Sequence, residues 1–224
     1  MFNGIIQILN INSIHMKTSV IRALFILLSA GMVSVSYAQS GNTAKKVNVN
    51  LPSSKINWIG KKPAGEHNGY VKLSSGTIEI ANNEVTGGSF VIDLKSIVNL
   101  DVENRDMNER LVNHLKSADF FDVEKYPQAR FVITKVSRLS RSDSGNPAAT
   151  HKVEGNLTIK SITHQITFNA SINVLNGKVT ATSTPFTIDR TQWSVNYQSK
   201  SVFAELKDQF IYDDITLSLD LTSE

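Results

Sequence analysis

Residues 166–174 read Ile-Thr-Phe-Asn-Ala-Ser-Ile-Asn-Val, with an apolar residue at every second position and a small polar residue between them. This period of two is typical of a β-strand with one face against a core and the other in water. The same alternation runs through residues 215–222 and, more loosely, through 90–94 and 153–159. Repeated strands of this kind predict an antiparallel sheet that encloses an apolar interior.

Turn-forming residues divide the chain into further strands, which we predict at about 47–60, 67–73, 76–81, 84–95, 129–138, 151–160, 162–175, 178–188 and 210–222. Gly87 and Gly88 predict a bulge or a sharp barrel corner inside one of them. The pattern favours an all-β fold, a single extended antiparallel up-and-down β-barrel of about eight strands, because closure leaves no exposed edge. The alternation alone also allows a two-sheet sandwich. Ten-residue strands rise about 33 Å, so such a barrel has room for an elongated apolar cavity.

One segment changes period, because apolar residues recur there every four positions: Met107, Leu111 and Leu115. We therefore predict a helix over about 101–117, with Asp106 and Glu109 forming its capping box. A second helical turn is predicted at 118–121, which places one or two short helices near 103–122.

The first residues resemble an export signal. Lys17 and Arg22 precede an apolar run at 23–28, and Ser36-Tyr37-Ala38 offers the small residues that a signal peptidase recognises. We predict a cleaved signal peptide at 1–38, a flexible leader at 39–46 and a barrel domain at 47–224, in the periplasm or secreted. A retained anchor is the alternative interpretation. Residues 1–15 carry no charge, so Met16 is a candidate for the natural start alongside Met1.

Composition excludes several classes of function. The chain of 224 residues has no cysteine, which excludes disulfides and thiol catalysis. Its formal net charge of +3 includes Lys17 and Arg22 of the predicted leader, so the remaining domain is nearly neutral. No basic stripe with interleaved aromatic residues is present, which argues against nucleic-acid binding.

Signatures of catalysis and metal binding are also missing from the sequence. There is no Gly-x-Ser-x-Gly elbow, phosphate loop, dinucleotide fingerprint or His-Glu-x-x-His motif. Histidines outside the predicted leader are not at metal-ligand spacing; they are His67, His114, His151 and His164. We expect a backbone hydrogen bond for His67 and a helix C-terminal position for His114. The sequence therefore predicts no enzyme, no metal site and no cofactor.

Several short segments, in the same order along the chain, resemble the YceI family of bacterial secreted proteins. They are Trp58-Ile59-Gly60-Lys61, His67-Asn68-Gly69, Gly87-Gly88-Ser89-Phe90, 114–122, 126–131, 155–160 and 189–193. The resemblance covers roughly Val49 to Leu221. It departs from the family at Ser161 and Ser194, where glycine is common, and this puts the local turn geometry in question.

The resemblance implies a lipocalin-like barrel whose channel binds a polyisoprenoid chain, either quinone-like or prenyl-alcohol-like. The predicted function is transport or storage of that lipid, and an encounter with a membrane and a homodimer are both compatible with it. Two alternatives stay open. One is an enzyme that acts on a hydrophobic small molecule; the other is a fully packed module that partners membrane electron-transfer proteins.

Candidate channel residues follow from the alternation and are Phe90, Ile92, Phe131, Ile133, Phe168, Ile172, Ile188 and Trp193. Phe203 and Phe210 are weaker candidates. Candidates for the ligand head group are Arg190, Asp189 and His67, because a guanidinium or imidazole can donate to an oxygen at the channel entrance. The alternative for Arg190 is an ion pair that fixes a turn. Lys160, Ser161 and Thr163 could serve in the same way as Arg190.

Overall fold

The computed structural model describes residues 44–140, 148–203 and 205–224. The predicted signal peptide lies outside them. Within this part the strands are β1 (Lys45–Asn48), β2 (Lys55–Lys62), β3 (Gly65–Ala81), β4 (Glu84–Asn99), β5 (Gln128–Arg138), β6 (His151–Ile159), β7 (Ile162–Leu175), β8 (Lys178–Ser183), β9 (Phe186–Asp189) and β10 (Asp214–Thr222). The described residues contain one α-helix, α1 (Arg105–Lys116), which lies between β4 and β5. No helix of the described residues is long and apolar enough to cross a membrane.

Eight strands close into an antiparallel barrel in the order β2-β3-β4-β5-β6-β7-β8-β10, with β10 pairing back onto β2. Strand β1 pairs with β3, and β9 pairs with β10, outside this ring. Consecutive strands are neighbours except where β9 intervenes, so the predicted up-and-down barrel is confirmed. Closure supplies every ring strand with two hydrogen-bonding neighbours.

The register places large apolar residues side by side on the inner face. Phe90 lies opposite Phe131, and Val153 lies opposite Phe168. The rings of Phe131 and Phe168 have centroids 5.8 Å apart, and all four side chains belong to the buried core. Since side chains alternate between faces along each strand, the intervening polar residues face outward.

Several predicted strand boundaries were wrong. The segments 67–73 and 76–81 form the single strand β3, because Ser74 is absorbed as a bulge between Leu73 and Ser75. The predicted strand 47–60 is interrupted by a 3-10 turn at Leu51–Ser53, where Pro52 cannot donate to a ladder. The bulge predicted beside Gly87 is present, since the register shifts between Gly87 and Val85.

Three further boundaries differ. The predicted strand 178–188 is divided into β8 and β9 around Pro185, because Pro185, like Pro52, has no N–H to donate to a strand ladder. The strand predicted from residue 210 begins at Asp214. Lys45 and Lys46 of the predicted leader belong to β1.

Helix α1 forms where it was predicted, but its cap differs. Asn104 Oδ1 accepts a hydrogen bond from the Met107 backbone N–H at 3.0 Å. The predicted capping box of Asp106 and Glu109 is wrong, because Glu109 instead accepts from Arg105 Nε at 2.9 Å. The predicted second helical turn at 118–121 is a series of turns and no helix.

Candidate ligand-binding site

The barrel encloses an elongated apolar cavity with a volume of about 270 Å³. For comparison, an apolar protein cavity of about 150 Å³ binds benzene. The cavity reaches from Ile215 to Leu221 along β10, and six residue steps correspond to roughly 20 Å. The interior is therefore not the fully packed core that the packed-module alternative requires.

The eight predicted channel residues all lie on the cavity wall. Most of them, including Phe90, Phe168 and Trp193, are also buried members of the core. Their position agrees with the predicted inner face, while their contact with a ligand stays a prediction. Phe203 and Phe210 were wrong candidates. Phe203 is 48% exposed, and Phe210 packs against Tyr212 and Lys200 outside the cavity.

A second stretch of wall was missed in the sequence-based selection. It is formed by β2 and β10 and consists of Ile56, Trp58, Ile215, Leu217, Leu219 and Leu221. These side chains are only partly buried and pack against the core. The alternation in residues 215–222 was the signal that could have identified the β10 part of this wall.

One end of the barrel, which we call the helix end, carries α1 and the described residues between β9 and β10 (190–203 and 205–213), and His114 of α1 packs there against Tyr197 with ring centroids 4.6 Å apart. Leu111 and Leu115 of α1 contribute to the cavity wall there, together with Phe120 and Phe121. Trp193 is 1% exposed, and its Nε1 donates to the Leu157 carbonyl at 3.1 Å. The polar atom of Trp193 is thus used by the fold, and its ring presents apolar surface to the cavity.

Arg190 is 2% exposed, and its contacts favour the interpretation that it fixes a turn over the interpretation that it binds the ligand head group. Its guanidinium donates to the carbonyls of Tyr212 (3.2 Å), Val195 (2.6 Å) and Ile211 (3.1 Å). Nη2 also lies 3.7 Å from Asp213 Oδ1. Burial lowers the pKa of Arg190, and the charge of Asp213 opposes that shift. Arg190 touches the cavity wall, but its donors are directed to the backbone.

Asp189 does not reach the cavity. Its Oδ1 accepts from the Thr191 backbone N–H (2.9 Å) and hydroxyl (2.6 Å), so it caps the turn that follows β9. The structure therefore places Asp189 off the cavity wall with its Oδ1 bonded to Thr191, and a head-group contact through Asp189 stays a prediction. The carboxylate nearest the Arg190 guanidinium is Asp213.

His67 lies on the cavity wall at the helix end. Its Nδ1 is 2.8 Å from Asp101 Oδ2, so the expected backbone hydrogen bond is replaced by a side-chain carboxylate. Asp101 Oδ1 also accepts from the Asn68 backbone N–H at 2.7 Å and from Asn99 Nδ2 at 2.6 Å. Burial alone would raise the pKa of Asp101, but these hydrogen bonds outweigh it and lower that pKa.

The other histidines lie off the wall. His114 Nε2 is 3.0 Å from Asp119 Oδ2, His151 lies between Thr150 and Glu84, and the His164 ring N–H donates to the Gln192 carbonyl at 3.0 Å. In the part of the chain that the structure describes, no three ligating side chains gather as a metal site would require.

Known proteins resemble this chain in sequence and in fold. The sequence profile of the YceI-like domain matches residues 32–223. The chain belongs to the YceI family. A UPF0312 protein of Pseudomonas putida (strain W619) is 42% identical over 60 residues, which are 27% of this chain and 28% of that protein. A UPF0312 protein of Staphylococcus aureus (strain USA300) is 33% identical over 96 residues, 40% of this chain and 49% of that protein.

Two solved structures share the fold of this YceI-family chain. BcnA of Burkholderia cenocepacia superposes with a TM-score of 0.60 at 20% identity, covering 79% of this chain and 99% of that one. A polyisoprenoid binding domain from Saccharophagus degradans, implicated in plant cell wall breakdown, gives 0.55 at 13% identity, covering 81% of this chain and 99% of that domain.

Ser161 and Ser194, the two residues that depart from the YceI pattern, adopt a backbone conformation that favours glycine. Ser161 has a φ of 65° and Ser194 a φ of 56°, both in the left-handed region that favours glycine. Lys160, also left-handed, donates from Nζ to the carbonyls of Phe120 (3.1 Å) and Ser194 (3.0 Å). Thr163 bonds the Thr158 hydroxyl. None of Lys160, Ser161 and Thr163 lines the cavity, and a head-group contact through any of them stays a prediction.

Proposed function

We propose that this YceI-family protein is a periplasmic or secreted carrier that holds a long isoprenoid lipid in its barrel cavity, for transport or storage. The observation that carries the proposal is the elongated cavity, whose wall is apolar along β4, β5, β7 and β10. The family and the fold shared with a polyisoprenoid binding domain support this class of ligand. The predicted leader at 1–38 supports the location.

The physical chemistry of an isoprenoid chain suits such a site. Burial of hydrocarbon is worth about 0.8 kcal/mol per methylene group before the costs of ordering the chain. A chain of tens of carbons therefore supplies enough driving force on its own, since non-covalent affinities saturate near −18 to −21 kcal/mol. The carrier needs no reactive residue and no cofactor beyond its lipid.

Uptake is proposed to occur at the helix end. Of the large apolar side chains that the described residues expose, five lie there: Leu100, Met107, Val202, Phe203 and Tyr212. Tyr212 also lines the cavity, so this apolar surface is continuous with the interior. Apolar side chains that ring a lipid cavity are suited to a membrane surface, from which the lipid would be taken. The homodimer stays a prediction.

The decisive test is organic extraction of natively purified protein, followed by mass spectrometry. A bound prenyl species at near-stoichiometric yield is the expected result. Empty extracts, together with no uptake of an added prenylated quinone or prenyl alcohol, would contradict the carrier and favour an interaction module. Recovery of a chemically altered lipid after incubation would favour the enzyme.

A further inference from the structure

Two residues that line the cavity at the helix end, Trp58 and His67, each carry a ring nitrogen without a hydrogen-bond partner among the described residues. Trp58 Nε1 is buried and unpaired, and His67 is bonded through Nδ1, which leaves Nε2. Both residues belong to the inner faces of adjacent strands, where Trp58 lies opposite Gly69 and His67 lies opposite Gly60. Both residues line the cavity, and their cross-strand pairs lie two positions apart along β2 and β3.

The two side chains are held in place from behind. Asp101 accepts from His67 Nδ1, and Asp101 is itself fixed by the Asn68 backbone N–H and by Asn99. In the neutral ring the proton therefore sits on Nδ1, and Nε2 is an acceptor. The indole of Trp58 packs on Gly69, where a Cβ would come within 2.8 Å of the ring. Asp101 and Gly69 thus act as positioning residues.

The site offers one acceptor, His67 Nε2, and one donor, Trp58 Nε1. A hydroxyl group satisfies both, because its proton donates to His67 while its oxygen accepts from Trp58. A carbonyl can accept but cannot donate, so it satisfies Trp58 alone. An unpaired buried donor costs about as much free energy as a hydrogen bond provides, so occupancy of both atoms should favour a hydroxyl.

The charges around this site favour a neutral group over a phosphate. The Asp101 carboxylate lies directly behind His67, and Lys61 is paired with Glu66 at 3.6 Å. Lys62 is exposed at the edge of the wall, and the Arg190 donors are directed to backbone carbonyls. Lys55 and Asp220 also touch the wall, but they are cross-strand neighbours of opposite charge at the other end of β2.

We infer that His67 Nε2 and Trp58 Nε1 form the head-group site of the proposed carrier and that they select an isoprenoid bearing a free hydroxyl. This inference rests on the proposed function. The hydroxyl could belong to a prenyl alcohol or to a prenylated quinol, which share the same hydrogen-bonding chemistry.

The test compares matched probes of one chain length at pH 8: geranylgeraniol, its methyl ether, geranylgeranyl phosphate, and a geranylgeranylated benzoquinol with its quinone. The ether accepts but cannot donate. We expect the wild-type protein to bind the alcohol roughly tenfold more tightly than the ether, the size of one hydrogen bond. The quinol should likewise bind more tightly than the quinone, and whichever of the alcohol and the quinol binds more tightly identifies the source of the hydroxyl.

Variants separate the two contacts. His67→Phe should bring the alcohol-to-ether ratio to within about twofold while ether binding is retained. Trp58→Phe should weaken alcohol and ether alike, because both oxygens accept from Nε1. His114→Phe is the matched control, since this second histidine–aspartate pair lies off the wall, and it should keep the wild-type ratio. Circular dichroism verifies that each variant folds.

The outcomes are distinguishable. Equal wild-type affinity for alcohol and ether, retention of the ratio in His67→Phe, or tighter binding of the phosphate than the alcohol would each overturn the head-group inference while the carrier stands. Failure of every probe to bind the wild-type protein would overturn the carrier itself. If His67→Phe does not fold, Asp101→Asn serves instead, and an unchanged ratio in that variant would also contradict the inference.

Discussion

Arg190 shows how a single buried charge is accommodated in this barrel. Three backbone carbonyls and Asp213 surround its guanidinium, so the cation is solvated by the protein at the helix end. The planar fork of arginine reaches the three carbonyls from three separate nitrogens, Nε, Nη1 and Nη2, whereas an ammonium has a single nitrogen. Arg190 therefore ties residues 211–213, which precede β10, to Val195, which follows the 3-10 turn after β9.

We expect Arg190→Met to destabilise the fold by about 3–5 kcal/mol, because it leaves three carbonyls and a carboxylate without their buried partner. Arg190→Lys should recover only part of this loss, since an ammonium cannot reproduce the fork. Urea unfolding measures both. A Met variant as stable as the wild type would show that Arg190 does not hold this segment.

Asp213 makes the stability of the fold depend on pH. Burial alone would raise the pKa of Asp213, but hydrogen bonds from Ser199 and Ser201 and the charge of Arg190 outweigh it and lower that pKa. Its contribution is therefore complete above the ordinary carboxyl pKa of about 4 and is lost as the pH falls through the lower folded value.

Asp213→Asn should cost about 1–3 kcal/mol at pH 7, the range for hydrogen bonds to a charged group. The difference from the wild type should shrink as the pH falls below about 4. Urea unfolding from pH 3 to pH 7 measures this. A difference that is constant over the whole range would mean that the Asp213 charge is not involved.

At the scale of the element, the two turns with left-handed serines are built against the conformational preference of their residues. Lys160 and Ser161 form the two-residue connection between β6 and β7, and both have positive φ, as a type I′ hairpin requires. Ser194 ends the 3-10 turn at Arg190–Trp193 in the same region. A left-handed residue other than glycine costs about 1–2 kcal/mol.

Ser161→Gly and Ser194→Gly should each stabilise the protein by about 0.5–1 kcal/mol, because the relief of strain exceeds the added entropy of the unfolded chain. Thermal unfolding measures the effect. Ser171→Gly, within β7, is the matched control and should destabilise by a similar amount. Loss of stability in both turn variants would show that the serines are held by contacts that outweigh the strain.

At the scale of the whole molecule, the cavity depends on the wall of β2 and β10 remaining unfilled. Leu219→Trp adds volume to that wall, where the leucine is only partly buried. We expect lipid uptake to fall at least tenfold while the protein stays folded, because the indole occupies free space rather than a packed core. Fluorescence titration with a prenylated probe measures uptake.

Thr216→Trp places the same side chain on the other face of β10 and should leave uptake unchanged. Equal uptake by both tryptophan variants would mean that the ligand does not pass beside β10. Equal loss in both would point to a distorted strand rather than a blocked cavity.

Local pattern determined much of this architecture. The period of two in residues 166–174 and 215–222 is a property of neighbouring residues, so the sequence alone indicated the strands and their inner faces. All eight channel residues predicted from the alternation lie on the cavity wall. The breaks at Pro52 and Pro185 were also local, because proline lacks an N–H wherever it stands. The alternation also changes phase at each break, from odd-numbered to even-numbered apolar residues, and the predicted strands overlooked that change.

Only the tertiary structure decided what the polar residues do and whether the interior is hollow. Asp213 approaches Arg190, and Asp101 approaches His67, across 23 and 34 positions of the chain, and no local period links such pairs. The cavity depends on how many strands close and how much side-chain volume they bring inward. Both are sums over the entire barrel, which is why the open space beside β10 could not be deduced from any one segment.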